Sequence, residues 1–239
     1  MSLPALSVLD LSKTYQKKPV LSGLHFEVRA SEIFGLVGEN GAGKTSLFKC
    51  LLDFCDFDAG EIRIFGDDHK NSRSRLRLSF LPERFSPPYF LTGREFLQYV
   101  LKLNESDFHM LEIEQGLREL DLNIDALNRS VRTYSKGMTQ KLGLLSCFLL
   151  KKGLYILDEP MSGLDPKARS MLKRKFCSVR EEGGSVFFSS HALADIEEIC
   201  DRMAILHEGE LRFVGTPAAC REQFAAASLE QAYLQCISG

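Results

Sequence analysis

Residues 38–45 read Gly38-Glu39-Asn40-Gly41-Ala42-Gly43-Lys44-Thr45, which is the pattern GxxxxGK[ST] of a phosphate-binding loop. Its three glycines let the backbone turn tightly enough to aim several N–H groups at one point, forming an anion-binding nest. The helix expected next in the chain adds the positive end of its dipole to the same point. We therefore predict that this stretch binds the phosphates of a nucleoside triphosphate.

The side chains and flanks of the loop support this interpretation. Lys44 is expected to reach the β- and γ-phosphates, and the Thr45 hydroxyl is expected to ligate Mg²⁺. An apolar strand over residues 33–37 precedes the loop, and residues 46–52 follow it with helical spacing. The alternative is a glycine-rich turn that only matches the pattern. The residues predicted to bind the nucleotide here are Gly38, Asn40, Gly41, Gly43, Lys44, Thr45 and Ser46.

The composition is that of an ordinary globular protein. At 239 residues, with 44% hydrophobic and 26% charged residues, the chain can form one large α/β domain or one domain with an insertion. A formal net charge of −2 gives no overall drive toward nucleic acid. Its seven cysteines lack a CxxC pair, which favours reduced thiols over disulfides or a zinc site. No signal peptide or membrane span is predicted, so we expect a cytoplasmic location.

Strand and helix patterns alternate along the chain around one long helical stretch. Helix signals dominate from residue 92 to about residue 146, starting at a capping box at Thr92. Two later helices are predicted at 165–182, with Asp165 as the N-cap, and at 191–200. The predicted strands are 6–11, 21–28, 33–37, 61–66, 78–81, 154–157, 185–189, 203–206 and 211–214, with a turn at 58–60.

A second motif, Leu157-Asp158-Glu159-Pro160, follows a continuous apolar strand. Such strands are typical of a parallel sheet that is buried on both faces, and their carboxyl ends deliver side chains to a ligand. Asp158 is therefore predicted to ligate Mg²⁺, and Glu159 is predicted to act as a general base on the attacking water. The alternative is an acidic surface loop after a core strand.

Four further features complete a recognisable set. They are Tyr134-Ser135-Lys136-Gly137-Met138, Ser162-Gly163-Leu164-Asp165, the strand-end His191, and Tyr15 after the first strand. With the two phosphate motifs, they resemble in kind and order the motifs of the ATP-binding cassette (ABC) ATPases, close to the cassettes of bacterial exporters. In that family they correspond to the signature sequence, the D-loop, the switch histidine and the aromatic residue that stacks on adenine. The resemblance runs from about residue 6 to residue 214.

The resemblance implies a fold, a set of domain bounds and a shared site. The implied fold is α/β: a RecA-like P-loop NTPase core (1–81 and 152–215) with an antiparallel β edge region, an inserted helical subdomain (82–151) and a short helical tail (216–239). Ser135 and Gly137 are expected to contact the γ-phosphate held by a second copy, and His191 is expected to join Glu159 and Lys44 in catalysis. The alternatives are an N-cap for Ser135, a helix-start residue for His191 and packing for Tyr15.

Two positions depart from the family pattern. Glu83 occupies the place of the usual Q-loop glutamine, and we expect its carboxylate to serve as a Mg²⁺ ligand because oxygen is the atom that Mg²⁺ prefers. Lys136 and Met138 replace the usual glycine and glutamine of the signature. Ser135 and Gly137, which have the clearer phosphate role, are kept. Lys136 is expected either to contact a second copy or to be solvated.

The function implied by the resemblance is ATP hydrolysis in a transporter. We expect an ATP- and Mg²⁺-dependent ATPase subunit that closes as a homodimer or heterodimer and powers a multi-span membrane permease, with export as the direction. This places the chain on the inner face of the cell membrane through its partner. No nucleic-acid partner is expected. The rival hypothesis is a non-transport ABC ATPase in nucleic-acid or ribosome-associated work, and a regulatory nucleotide sensor also stays open.

Overall fold

Two β-sheets form the framework of the protein in a computed structural model that describes residues 3–238. In chain order the strands are β1 (Leu6–Tyr15), β2 (Lys18–Val28), β3 (Ile33–Val37), β4 (Ala59–Ile64), β5 (Asp67–Asp68), β6 (Leu78–Leu81), β7 (Leu154–Leu157), β8 (Ser185–Ser190), β9 (Arg202–His207) and β10 (Glu210–Gly215). The first sheet is antiparallel, with the order β2-β1-β4-β5. The second has the order β10-β9-β3-β8-β7-β6 and is parallel except at β10.

Helices connect these strands and cover the second sheet. They are α1 (Lys44–Leu51), α2 (Ser72–Arg75), α3 (Gly93–Leu103), α4 (Met110–Glu119), α5 (Lys136–Leu149), α6 (Pro166–Glu181), α7 (Leu193–Ile199), α8 (Pro217–Gln223) and α9 (Leu229–Ser238), with 3₁₀ turns at Ile124–Asn128 and Val131–Thr133. The capping box at Thr92 is confirmed, since its side chain and that of Glu95 each bond the other's backbone. Asp165 caps α6, as predicted.

The predicted α/β class is confirmed, and the central strands explain it. Along β3, Phe34 and Leu36 face the antiparallel sheet and α1, whereas Ile33 and Val37 face the helices of the other layer. Every residue of β3 and β7 is buried, as expected for parallel strands covered on both faces. Helix α1 contacts both sheets: it packs against β2 of the first sheet, and the Phe48 ring centroid lies 5.3 Å from that of Phe187 of β8 in the second. None of the helices within residues 3–238 combines the length and apolar composition that a bilayer crossing requires.

The first strand extends further than predicted. β1 ends at Tyr15 rather than at residue 11, and Tyr15 pairs with Lys18 of β2 across a two-residue turn. Gln16 and Lys17 in this turn both have positive φ, 48° and 68°. Positive φ at both central positions matches the right-handed twist of a hairpin, but glycine or asparagine is usual there. The sequence therefore lacked the ordinary signal for this turn.

The predicted turn at 58–60 is in part the start of a strand. β4 runs from Ala59 to Ile64, and Ala59 pairs with Ser12 of β1. Gly60 has φ of 106°, and a Cβ atom built on it would lie 2.6 Å from the Leu11 Cα atom. The glycine thus serves a close approach of two strands at an irregularity in β1, which is a second common use of glycine in sheets.

Candidate nucleotide site

The predicted phosphate and acidic motifs meet at one edge of the parallel sheet. Strands β3, β7 and β8 end at Val37, Leu157 and Ser190, and the residues that follow them surround a cleft of about 440 Å³. Ligands of open parallel sheets bind at this carboxyl edge. The predicted site residues that line the cleft are Asn40, Gly41, Gly43, Lys44, Thr45, Ser46, Glu83, Asp158, Glu159 and His191.

The loop after β3 has the tight backbone that its glycines predict. Gly41 and Gly43 have φ of 88° and 114°, which side chains rarely tolerate. A Cβ atom on Gly38 would lie 2.5 Å from the Leu206 carbonyl oxygen, so the loop passes directly over β9. Lys44 is buried, and its ammonium donates to the carbonyl oxygens of Gly38 at 2.5 Å and Glu39 at 3.1 Å. These bonds hold the charge of Lys44 inside the curve of the loop.

Ser189, at the end of β8, organises the acidic motif. Its hydroxyl donates to Asp158 Oδ1 at 2.6 Å and accepts from the Glu159 backbone N–H at 2.8 Å. Asp158 is only 5% exposed, and this burial raises the pKa of its carboxyl above the ordinary value. The charges of Glu83 and Glu159 raise that pKa further, while the Ser189 hydrogen bond and the Lys44 ammonium oppose the shift.

Glu159 and His191 form a direct contact in the cleft. Glu159 Oε2 lies 2.8 Å from His191 Nδ1, and the Glu159 side chain is 12% exposed. Glu159 also has φ of 47°, a left-handed conformation that is uncommon for a residue other than glycine. The helix predicted from residue 191 begins only at Leu193, because the Ser190 hydroxyl accepts from the Ala192 N–H in a turn after β8. His191 therefore lies on a loop, where its ring reaches Glu159.

The residues of the cleft fit a bound Mg²⁺. The Thr45 hydroxyl and the carboxylates of Asp158 and Glu83 line the same space, and hard oxygen ligands are those that Mg²⁺ takes. A divalent cation would offset the repulsion that raises the Asp158 pKa. Within residues 3–238 no group of three or more His, Cys, Asp or Glu side chains is spaced to hold a metal. The few protein oxygens of the cleft suit Mg²⁺, which usually completes its coordination shell with phosphate and water oxygens.

Four predicted residues, Tyr15, Gly38, Ser135 and Gly137, are not among those that line the cleft. Ser135 is the N-cap of α5, accepting from the Met138 N–H at 3.2 Å, and a Cβ atom on Gly137 would lie 2.9 Å from the Gly163 carbonyl oxygen. Tyr15 is 40% exposed, and its hydroxyl donates to the Cys55 Sγ atom at 3.5 Å. The carbonyl of Gly38 binds Lys44, although Gly38 itself is not among the lining residues.

Lys136 is exposed, as one of its two expected environments requires, and it also contacts its own chain. Its ammonium donates to the Ser162 hydroxyl of the same chain at 3.1 Å, and its stem crosses Gly163, where a Cβ atom would lie 3.1 Å from Lys136 Cδ. Gln140, one turn later, donates to the Pro160 carbonyl oxygen at 3.0 Å. The first turns of α5 are thus tied to the loop that follows Glu159.

Four residues of the site were not predicted. Val20, Glu39 and Ser162 line the cleft, and Ser189 supports it from beneath. The signal for Ser189 was present, because it is the first polar residue after the apolar stretch 186–188 of β8. Val20 gave no local signal: β2 reaches the loop only through the tertiary fold, which places the Val20 carbonyl oxygen 2.9 Å from a Cβ atom built on Gly43.

Known proteins are similar to this chain in sequence and in fold. The family model described as ABC transporter matches residues 21–162. The chain belongs to the ABC transporter family. This ABC protein is 35% identical over 240 residues to the ABC-type transporter ATP-binding protein EcsA of Bacillus subtilis, covering 96% of this chain and 95% of that protein.

Two further comparisons agree on the family. An ABC transporter ATP-binding protein of Synechocystis sp. is 38% identical over 223 residues, which is 87% of the chain. The ABC protein described here spans 62% of the length of that relative. A solved structure of an ATP binding subunit of an ABC transporter superposes with a TM-score of 0.89 at 33% identity, covering 97% of this chain and 99% of the other. The predicted fold class and family are confirmed.

Proposed function

We propose that the chain hydrolyses ATP and that this hydrolysis powers a transport process. The observation that carries the proposal is the convergence of Lys44, Asp158, Glu159 and His191 on one cleft. These residues come from three separate strand ends, and each supplies a group that phosphoryl transfer to water requires. Family membership supports the same activity.

Each side chain has a step in the proposed reaction. The Lys44 ammonium exchanges its carbonyl partners for the β- and γ-phosphate oxygens, and the loop N–H groups stabilise the charge that develops there. Glu159 orients the attacking water and accepts its proton. His191 keeps the Glu159 carboxylate in place through the 2.8 Å contact. Bound by Thr45, Asp158 and Glu83, Mg²⁺ would neutralise phosphate charge and align the γ-phosphate.

We propose that a complete site needs two copies of the cassette. Ser135 and Gly137 lie at the start of α5, outside the cleft of their own chain, on a helix end whose dipole favours an anion. A head-to-tail dimer, homomeric or heteromeric, would present them to the γ-phosphate held by the other copy. In the same proposal Tyr15 stacks on the adenine ring through its exposed face.

We propose a multi-span permease as the membrane partner, which would hold the chain at the inner face of the membrane. Residues 82–151 would act as the helical subdomain that transmits dimer closure, and export is the direction that the motif resemblance favours. Affinity purification from detergent extracts tests the partner. Recovery of a membrane protein with several spans is expected, whereas recovery of ribosomes or DNA would support the rival function.

The variant Glu159→Gln tests the hydrolytic proposal. It keeps the size and one oxygen of the side chain but removes the base, so ATP turnover is expected to fall at least about 100-fold. Binding of ATP should persist, because Glu159 is proposed to act on the water rather than on the nucleotide. Steady-state turnover and equilibrium binding of a fluorescent ATP analogue measure the two effects.

Glu181→Gln is the matched control. Glu181 is an exposed glutamate at the end of α6, so its loss changes the net charge equally without touching the cleft. Its turnover is expected to equal that of the unaltered protein. If Glu159→Gln and Glu181→Gln have the same turnover, Glu159 is not the base.

A further inference from the structure

Two cysteines meet beside the tyrosine that precedes the first hairpin turn. Cys50 is fully buried in α1, and its Sγ atom lies 3.6 Å from the Sγ atom of Cys55. Cys55 is partly exposed on the segment between α1 and β4. The Tyr15 hydroxyl completes the group, 3.5 Å from Cys55 Sγ. Among the seven cysteines, all of them in the described part of the chain, no other two lie within hydrogen-bonding distance.

We propose that Cys50 and Cys55 are a modification site, at which a hydroperoxide oxidises the two thiols to a disulfide. In the first step the Cys55 thiolate attacks the peroxide oxygen, giving a sulfenic acid and releasing water or an alcohol. In the second step the Cys50 sulfur displaces the hydroxyl group of that sulfenic acid, which leaves as water. The two thiols lose two hydrogens, and the peroxide is reduced.

Cys55 is expected to react before Cys50, because the two thiols differ in their access to solvent. Burial, together with the neighbouring Cys55 and Asp58, raises the pKa of the Cys50 thiol to about 12, although the Lys13 ammonium opposes the shift. Cys50 is therefore a poor initial nucleophile, and it is also shielded from solvent. Cys55 is accessible and lies outside regular structure, so its side chain can rotate to close the remaining gap to a bond of about 2 Å.

The disulfide is expected to change the contacts of Tyr15. The Tyr15 hydroxyl donates to Cys55 Sγ, and forming the disulfide turns that sulfur toward Cys50, so this hydrogen bond is expected to weaken. Tyr15 lies at the end of β1 and is otherwise held by the hairpin and by Lys13, whose ammonium lies 4.8 Å from the ring centroid. Resting on the proposed stacking of Tyr15 on adenine, we expect the oxidised protein to bind ATP about threefold to tenfold more weakly.

Mass spectrometry tests the bond without reference to activity. The folded protein is treated with hydrogen peroxide, its remaining thiols are alkylated, and it is digested with trypsin. Because Lys49 precedes Cys50 and Arg63 is the next cleavage site, one peptide, residues 50–63, contains both cysteines. We expect this peptide to lose two hydrogens and to escape alkylation, and dithiothreitol is expected to restore both alkylation sites.

Two variants make the test specific. Cys55→Ser removes the partly exposed partner and should leave Cys50 unmodified, whereas Cys177→Ser, at a partly exposed cysteine of α6, should behave as the unaltered protein. Stable sulfenic or sulfinic acid at Cys55, or no change in the peptide, would overturn the modification site.

The effect of the disulfide on ATP binding is measured in a separate experiment. ATP affinity of the reduced and oxidised forms is compared in the unaltered protein and in Tyr15→Phe, which lacks the hydroxyl and should respond less to oxidation. Formation of the disulfide with equal ATP affinity would overturn the link to Tyr15 while leaving the bond established. Absence of ATP binding in the reduced protein would instead contradict the proposed function. It would leave the modification site untouched, because the peptide masses do not depend on ATP binding.

Discussion

Asp158 is the residue at which the demands of stability and of the proposed function conflict most clearly. Its carboxylate is buried, and the charges of Glu83 and Glu159 act on it from the same cleft. A raised pKa means that the folded protein holds a proton more readily than the unfolded chain does. As the pH rises above the ordinary value for aspartate, the folded state loses stability relative to the unfolded state.

Replacing this charge should therefore stabilise the protein without ligand. Asp158→Asn keeps an oxygen that can accept from Ser189, and we expect it to raise the free energy of unfolding at neutral pH by about 0.5–2 kcal/mol. Urea denaturation without nucleotide or Mg²⁺ measures the difference. The same variant should lose Mg²⁺-dependent ATP turnover, because a neutral amide is a weaker ligand.

The pH dependence provides the control for this variant. Below about pH 4 the carboxyl of Asp158 is protonated, so the two proteins should have nearly the same stability. The advantage of Asp158→Asn should then grow as the pH rises. A constant difference between acid and neutral pH would show that packing, rather than charge, separates the two proteins.

At the scale of elements, substitution of Gly60 tests how closely the backbones of β1 and β4 approach each other. Gly60 and Gly23 both lie in the antiparallel sheet with positive φ, 106° and 60°. A Cβ atom on Gly60 would lie within 2.7 Å of three β1 backbone atoms, whereas one on Gly23 meets nothing within 4 Å. Alanine should therefore cost about 1–3 kcal/mol more at position 60 than at position 23, measured by chemical denaturation.

Gly23→Ala serves as the matched control, because it carries the backbone strain of positive φ without the steric overlap. Equal losses for the two variants would mean that Gly60 is an ordinary turn glycine, as the sequence suggested. A larger loss at Gly60 supports the close approach of the two strands as the reason for the glycine.

Local sequence patterns predicted some of the strands and helices and missed others. Continuous apolar runs predicted β3 and β7 because burial on both faces leaves a strong local pattern. Cap residues predicted the start of α6 equally well. The hairpin at Gln16 and Lys17 was missed because its backbone is imposed by strand twist rather than by the usual turn residues. The order of strands in each sheet depends on contacts distant in sequence, which no local pattern records.

For the whole molecule, the question is whether one chain forms a complete site. Residues that follow β3, β7 and β8 were expected to converge, and they do, since parallel strands deliver their ends to one edge. Ser135 and Gly137 remain outside that cleft, on the face where α5 meets the loop of Gly163. Their predicted role in the site of a second copy comes from the family resemblance.

Mixing two inactive variants tests the role of a second copy. Lys44→Ala damages the phosphate loop, and Ser135→Ala damages the start of α5, so each variant alone should have little turnover. In a head-to-tail mixed dimer, one site would combine an intact loop with an intact α5. Equal mixing should therefore restore about a quarter of the sites. The control is Lys44→Ala mixed with itself, and no recovery at any ratio would argue that each chain works alone.

The charges around the cleft should favour binding of the metal complex of ATP over binding of metal-free ATP. Carboxylates of Glu39, Glu83, Asp158 and Glu159 line it, and among the described lining residues Lys44 is the one lysine or arginine. A polyanion without a metal would meet net repulsion in a partly dehydrated space, which strengthens with burial. The cleft should thus act as an electrostatic filter that admits the metal complex of ATP and rejects the free anion. Replacing Glu83 with glutamine would remove one of these four negative charges, so ATP binding by that variant should be less sensitive to chelators.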